Sequence, residues 1–240
     1  VSTITVMIPC YNEAPYIATA ISSVVAQTFK DWELVIIDDG SIDGTDWELD
    51  QVLAQFPLLP ISVYRTEHKG CAHATMQATE LATSPLCTIL DGDDTLMNDS
   101  LQKIVSAFQT HPRVGYIWSR YKARPENGHQ WKEGRSKALP LGMSLKAALL
   151  KGWWGALAQR SFRRRVYKKT PGLDPSLPYA VDQQLAMLFA NLGCEVMHFP
   201  EITYCHLQHS KQMSATHRKE QQRCRGEILK RLGGTYVKER

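Results

Sequence analysis

The stretch Leu90-Asp91-Gly92-Asp93-Asp94 places three carboxylates within four residues at the end of a short apolar run. Carboxylates this close repel one another unless a cation sits among them. An all-oxygen donor set suits Mg2+ or Mn2+ better than zinc. One aspartate would suffice to cap a helix starting near Asn98; three exceed that need and point to a metal–phosphate site.

Two further clusters have the same form, an apolar run that ends in polar residues. Ile8-Pro9-Cys10-Tyr11-Asn12-Glu13 carries an aromatic ring. That ring can stack on a nucleobase, or it can be a core tyrosine beneath the next helix, with Asn12 as the cap. Val35-Ile36-Ile37-Asp38-Asp39-Gly40-Ser41 carries tandem carboxylates. They can accept hydrogen bonds from a base N–H and ribose hydroxyls, or close an Asx turn ahead of the following helix.

The elements that must position these clusters follow from periodicity. Thr3–Ile8, Trp32–Ile37, Ile61–Arg65, Leu86–Leu90 and Val114–Trp118 read as strands. Between them, Ile17, Ile21, Val24 and Val25 recur at helical spacing, predicting a helix over about 14–27; others follow at about 44–56 and 71–82, and around Leu101, Ile104, Val105 and Phe108. Uniformly apolar strands alternating with helices imply a parallel sheet covered on both faces. Ligands bind such sheets beyond the carboxyl ends of the strands, and all three clusters lie there, after the first, second and fourth strands. Past residue 119 the rhythm changes. Residues 120–140 are polar and basic and read as a long mobile loop, and a helix at 143–151 is interrupted by Gly152-Trp153-Trp154-Gly155. Val181, Leu185, Leu188, Phe189 and Leu192 define another helix, residues 194–206 one or two strands, and about 214–232 a basic terminal helix.

With 240 residues, 43% hydrophobic and 22% charged, the chain suits one large domain or two fused halves, and disorder, collagen and coiled coil are excluded. No apolar stretch approaches the roughly 18–20 residues of a membrane span, and Val1-Ser2-Thr3-Ile4-Thr5 lacks the blocks of a signal peptide. Six cysteines without CxxC spacing read as reduced, mostly buried thiols, which places the chain in the cytoplasm. The net charge is +4, from 28 basic and 24 acidic residues, and it is unevenly placed. One basic cluster is Arg160, Arg163, Arg164, Arg165, Lys168 and Lys169; the other is Arg218, Lys219, Arg223, Arg225, Lys230, Arg231, Lys238 and Arg240. Each is a solvated helix face, or a peripheral contact with an anionic membrane surface. The low overall charge and the lack of an aromatic–basic stripe argue against nucleic acid as a partner.

IPCYNE at 8–13, IIDDGSIDGT at 36–45 and LDGDD at 90–94, in this order and spacing, resemble the family-2 inverting glycosyltransferases with the GT-A fold. AISSVVAQTF at 20–29, GLD at 172–174 ahead of VDQQL at 181–185, and YCHLQHSKQMS near 204–214 extend the resemblance over about residues 3–214. It implies a single α/β domain of Rossmann-like type, its mixed, mainly parallel sheet flanked by helices. Residues 1–112 would form a nucleotide-sugar-binding half, 113–210 an acceptor-binding half and 211–240 a basic C-terminal helix. It also implies metal-dependent transfer of one sugar, hexosyl or N-acetylhexosaminyl, from a nucleotide sugar, a UDP-sugar foremost. The acceptor would be a hydroxyl of a glycan or lipid-linked glycan, as in polysaccharide biosynthesis.

Carried over by position, Pro9, Tyr11 and Glu13 would line the donor pocket, with Tyr11 against the base. Asp39 would accept from the base, with Asp38 beside it. Asp91 and Gly92 would meet the ribose or the metal's surroundings, and Asp93 would ligate Mn2+ or Mg2+, with Asp91 and His209 as further ligands. Asp94 could share either carboxylate role, and His206 competes with His209. Asp182 would be the general base that takes the proton of the attacking hydroxyl, and Trp153 and Trp154 the acceptor wall. Two departures stand out. Where many members carry an Arg-Asn pair, this chain has Ala74-Thr75-Met76 after His73, leaving Lys69 or His73 to approach the donor phosphates. The glutamate usual before the base is Val181, and the absence of QxxRW after residue 182 favours single-sugar transfer. Asp91-Gly92-Asp93-Asp94-Thr95 also fits the DxDxT pattern of haloacid-dehalogenase-like phosphatases, with Asp91 as nucleophile and Asp93 beside it. A non-catalytic nucleotide-sugar-binding module is the remaining alternative.

Overall fold

Every residue of β1 (Ile4–Cys10) is buried, and β2 (Trp32–Asp38) is buried at all positions but one. Side chains alternate between sheet faces, so these strands need cover on both sides and receive it. Ile4, Val6, Ile8, Leu34 and Ile36 point into one core with α1 (Ile17–Val25), α2 (Thr45–Gln55) and α4 (Ser100–Thr110). Met7, Val35 and Ile37 point into the other, with α3 (Cys71–Leu81), α5 (Leu145–Leu150) and α7 (Val181–Leu192). The computed structural model describes residues 1–134, 136–155 and 158–233; Lys238 and Arg240 of the basic tail lie outside them.

β3 (Ile61–Arg65), β2, β1 and β4 (Leu86–Ile89) are parallel neighbours in that order. The sheet then turns antiparallel through β8 (Ser161–Arg163), which joins β4 to β6 (Val114–Pro125). β6 pairs in parallel with β9 (Glu195–Gln208), which carries the two-residue β5 (Thr95–Leu96) at its edge; β7 (Lys132–Glu133) pairs with β6. The result is a mixed, mainly parallel sheet flanked by helices, running unbroken across residues 112 and 113. α6 (Arg164–Tyr167) lies between β8 and α7, and α8 (Met213–Thr216) and α9 (Arg218–Arg231) follow β9.

Three expectations change. Residues 120–140 are not one long loop. β6 runs on to Pro125 against β9, because its polar residues have partners: Arg120 pairs with Glu133, and Lys122 and Arg124 each lie 5.0 Å over the Trp131 ring. The terminal helix is split into α8 and α9 at His217. Half of the basic cluster from 160 is not a free surface, while Arg165, Lys168 and Lys169 are exposed. Arg160 is buried; Arg163 donates to the carbonyls of Val114 and Phe108, and Arg164 to those of Ser84 and Thr83. The six cysteines are free, four of them buried. Among the described residues no helix is long and apolar enough to cross a membrane.

Candidate active site

The three polar clusters meet where β1, β2 and β4 end. After β1 the backbone turns at Asn12 with φ of 57°, a left-handed conformation that asparagine tolerates. The turn is locked across the sheet by the Asn12 side chain accepting from Ile42 N at 2.9 Å and by Glu13 N donating to Thr45 Oγ1 at 2.8 Å. Glu13 is thereby turned over Gly92. A Cβ at Gly92 would sit 3.1 Å from both Cys10 Cβ and Glu13 Cγ, so the DxD turn needs glycine to let the first loop close on it.

Glu13, Asp93 and His209 form the one group of three His, Cys, Asp or Glu side chains among the described residues whose ligand atoms all lie within 4.8 Å of one another. His209 Nε2 is 2.9 Å from Asp93 Oδ2, and its other ring nitrogen is buried without a hydrogen-bond partner. Tyr16 stacks on His209 at 4.4 Å, and its hydroxyl donates to Glu126 at 2.8 Å. Burial and the charges of Asp93, Asp91 and Asp94 push the Glu13 carboxyl up to about 9. Burial, then Asp94 and Asp91, push Asp93 up to about 6, against a hydrogen bond from His209. Two carboxyls held above their usual range for want of positive charge, beside an imidazole, are a donor set that fits a divalent cation.

The remaining carboxylates of the DxD stretch have other partners. Asp91, expected as a metal ligand, lies outside that group: Oδ1 accepts from Arg160 Nη2 at 2.6 Å and Oδ2 from the Tyr204 hydroxyl at 3.1 Å. Asp94 is buried and accepts from Leu207 N at 2.8 Å, with His206 Nδ1 at 3.1 Å. Asp94 and His206 thus tie the DxD turn to the end of β9, which sets His209 opposite Asp93.

At the end of β2, Asp38 Oδ1 accepts from Ser41 N, three residues on, at 3.0 Å, which closes the turn. Both oxygens of buried Asp39 accept backbone N–H groups of the β3–α3 loop, from Lys69 at 2.9 Å and Gly70 at 2.7 Å. The Lys69 ammonium lies 3.9 Å from Glu67 and is half exposed. His68 stacks on the half-exposed Tyr11 at 4.0 Å and approaches Asp39 Oδ2 at 2.9 Å. Tyr11, His68 and Asp39 therefore make an aromatic–carboxylate platform, while Pro9 is buried in β1 opposite Ile37. His68 was missed in the sequence; its only signal is its place just past a strand end.

Asp182, in the first turn of α7, lies near enough to Asp91 and Arg160 to feel both charges. Its helix starts from Ala180 at φ 64°, and Arg160 follows Gln159 at φ 37°. With Asn12, these are the non-glycine residues of positive φ among those described; Asn12 adjoins Tyr11 and Glu13, Gln159 adjoins Arg160, and Ala180 lies two positions before Asp182. Burial pushes the Asp182 carboxyl up, against the Arg160 guanidinium, which favours its ionised form. Arg160 is the second residue missed: it reads as part of a basic surface, yet it is buried, bonded to Asp91, and acts through its charge on Asp182.

Trp153 and Trp154 are both half-buried against the core. Trp153 packs edge-on against Trp118 at 5.6 Å, and Trp154 lies under Arg225 at 5.0 Å. A DxDxT phosphatase would need Asp91 on its first strand and free to attack; here Asp91 follows β4, and both oxygens are engaged.

Residues 5–176 match the sequence family described as Glycosyl transferase family 2. An uncharacterized glycosyltransferase of Nostoc sp., alr2836, is 32% identical over 178 residues, which cover 72% of this chain and 54% of that protein. TarS 1-349 of S. aureus in complex with UDP-GlcNAc superposes with a TM-score of 0.75 at 18% identity, over 99% of this chain and 68% of that one. The mannosyltransferase PcManGT of Pyrobaculum calidifontis, in complex with GDP-Man and Mn2+, superposes with a TM-score of 0.68 at 21% identity, over 99% and 66%. The chain spans about half the length of the Nostoc relative, and 30% and 49% of two other curated relatives.

Proposed function

The chain belongs to glycosyl transferase family 2, is a glycosyltransferase and has the GT-A fold; from that premise we propose that it moves one sugar, with inversion, from a UDP-sugar to a hydroxyl of a glycan or lipid-linked glycan. The observation that carries this reading is the convergence of Glu13, Asp93 and His209 at the strand ends that also carry Tyr11 and Asp39, with Asp182 within reach of the Arg160 and Asp91 charges. The platform takes the base, and Asp91 and Gly92 take the ribose. Glu13, Asp93 and His209 would hold Mn2+ or Mg2+, which would supply positive charge against the departing diphosphate. The UDP-GlcNAc held by one structural neighbour, and the GDP-Man and Mn2+ held by another, support a nucleotide-sugar donor and a divalent cation. The domain then works as one catalytic unit, its donor half ending near residue 112.

Asp182 is the base in this reading. It sits at the start of a helix, where the dipole favours the carboxylate, and burial raises its proton affinity towards the range a general base needs. It takes the proton of the acceptor hydroxyl as that oxygen attacks the anomeric carbon, and the bond to the diphosphate breaks on the opposite face.

Calorimetric titration of UDP, GDP, dTDP and CDP, with and without Mn2+, into wild type and Asp93→Ala tests the donor site. One nucleotide is expected to bind with Mn2+ and to lose that binding in the variant. No nucleotide binding under any metal condition overturns the reading.

A further inference from the structure

Arg225 stands on α9, the helix whose basic composition read as a surface for membrane or solvent. Cys224, Ile228 and Leu229 of α9 are buried in the core that α7 shares, and this brings Arg225 over the first turn of α7. There its guanidinium lies 5.0 Å over the Trp154 ring. With the Gln183 amide oriented to accept, Arg225 Nε and Nη2 donate to Gln183 at 3.1 and 2.9 Å. Gln183 follows Asp182 in the chain, and the Arg225 charge favours the ionised form of Asp182.

The cations at the end of the same helix are paired. Arg231 lies 2.5 Å from Asp174 and 3.5 Å from Glu227, and Lys230 lies 3.7 Å from Glu227. Among the described residues Arg225 has no carboxylate within 4.0 Å. A guanidinium held by a neutral amide and a π face keeps its charge, and its planar fork matches a carboxylate or a phosphate. It also covers the indole face on which an uncharged sugar ring would stack.

We propose that Arg225, Gln183 and Trp154 form an anion-recognition subsite beside Asp182, and that the acceptor is a glycan bearing a carboxylate or phosphate near its nucleophilic hydroxyl. This rests on Asp182 being the acceptor-side base. The donor's own diphosphate is the other anion in the reaction. The carboxylates and imidazole assigned to it, Glu13, Asp93 and His209, lie on the β1–α1 loop, the β4–β5 turn and the segment after β9, whereas α9 packs on α7 and α8.

The test titrates three probes into wild type and Arg225→Gln in the presence of UDP and Mn2+. They are a glucuronate-containing oligosaccharide, a glycerol phosphate oligomer and a neutral oligosaccharide of equal length. At least one anionic probe is expected to bind wild type about tenfold tighter than the neutral one and to lose about tenfold in the variant. Arg225→Lys should recover part of that loss, added salt should weaken the anionic probe, and UDP affinity should stay unchanged. Gln183→Glu sets a carboxylate against Arg225 and is expected to abolish the anionic preference, so the comparison survives if Arg225→Gln fails to fold. The proposal is overturned if neutral and anionic probes bind alike, if neither anionic probe binds, or if Arg225→Gln leaves anionic binding intact. Loss of UDP affinity with probe binding retained also overturns it, assigning Arg225 to the donor diphosphate. UDP binding to wild type reports separately on the glycosyltransferase reading.

Discussion

Arg160 Nη2 reaches Asp91 Oδ1 at 2.6 Å, joining residues 69 positions apart and carrying one buried positive charge into a site otherwise built of carboxylates. The same guanidinium favours the ionised form of Asp182, so one side chain is hydrogen-bonded to Asp91 and acts through its charge on Asp182. Ile89 N donates to the Arg160 carbonyl at 3.0 Å, which fixes that charge to the strand leading into the DxD turn.

Replacing Arg160 by Met keeps the bulk of the side chain and removes the cation. Asp182 then loses the largest influence that holds its carboxyl down, so its pKa rises further. The acid limb of the kcat/KM profile is expected to move to higher pH, and Arg160→Lys should move it less. A profile that stays in place while kcat/KM falls would show that Arg160 serves only to brace Asp91.

Glu13 gives a second pH dependence, of calculable sign. Its carboxyl is pushed from 4.5 up to about 9 in the folded protein by burial and by Asp93, Asp91, Asp94 and Asp43. A group that holds its proton more tightly when folded favours folding at low pH, and that contribution is lost as pH rises from about 4.5 to about 9. Metal-free wild type should therefore lose melting temperature across this window more steeply than Glu13→Gln. Mn2+ displaces the same proton, so its affinity should rise with pH in wild type. Equal slopes for the two proteins would remove Glu13 from the cluster.

Asp182→Asn separates binding from chemistry. Asparagine keeps the size of the side chain and its place in the first turn of α7 but cannot accept the hydroxyl proton. Transfer is expected to fall by about 10²–10⁴-fold, with UDP and Mn2+ affinity unchanged by calorimetry. Transfer within threefold of wild type would dismiss Asp182 as the base.

What the sequence made legible was what repeats locally. The parallel strands β1 to β4 follow from runs such as Val6–Ile8 and Val35–Ile37 that are buried on both faces, and the polar ends of those runs marked the site. What stayed hidden depends on pairings between distant residues. Tyr204 meets Asp91 across 113 positions, Arg160 meets it across 69, and His68 reaches Tyr11 only because β3 lies beside β2. The outer part of β6 was hidden because its polar residues are satisfied by β9, about 80 positions on, and by the returning arm of a hairpin that carries Trp131 and β7 and has no apolar alternation to mark it. Lys69 shows the converse: a position next to the site was legible, but the atom used there is its backbone nitrogen.

Glu33 tests the scaffold rather than the site. On β2 opposite Thr5 of β1, it accepts from Thr83 N at 2.7 Å, Thr83 Oγ1 at 2.8 Å, Ser84 N at 3.0 Å, Ser84 Oγ at 2.9 Å and the Thr5 hydroxyl. These bonds pin the α3–β4 turn, and with it the start of the strand that ends in the DxD stretch. Burial pushes the Glu33 carboxyl up, but hydrogen bonds from Thr5, Thr83 and Ser84 outweigh it and hold it below the usual range. A depressed carboxyl stabilises the fold above its unfolded pKa, and that contribution is lost as pH falls through the folded one. Glu33→Gln keeps one acceptor oxygen and should cost about 1–2 kcal/mol at neutral pH. The gap to wild type should narrow below about pH 4.5, as Glu33 itself takes up its proton. Urea unfolding of both proteins at neutral and acid pH measures this. A gap that persists undiminished in acid would mean that the clamp works through shape and not through charge.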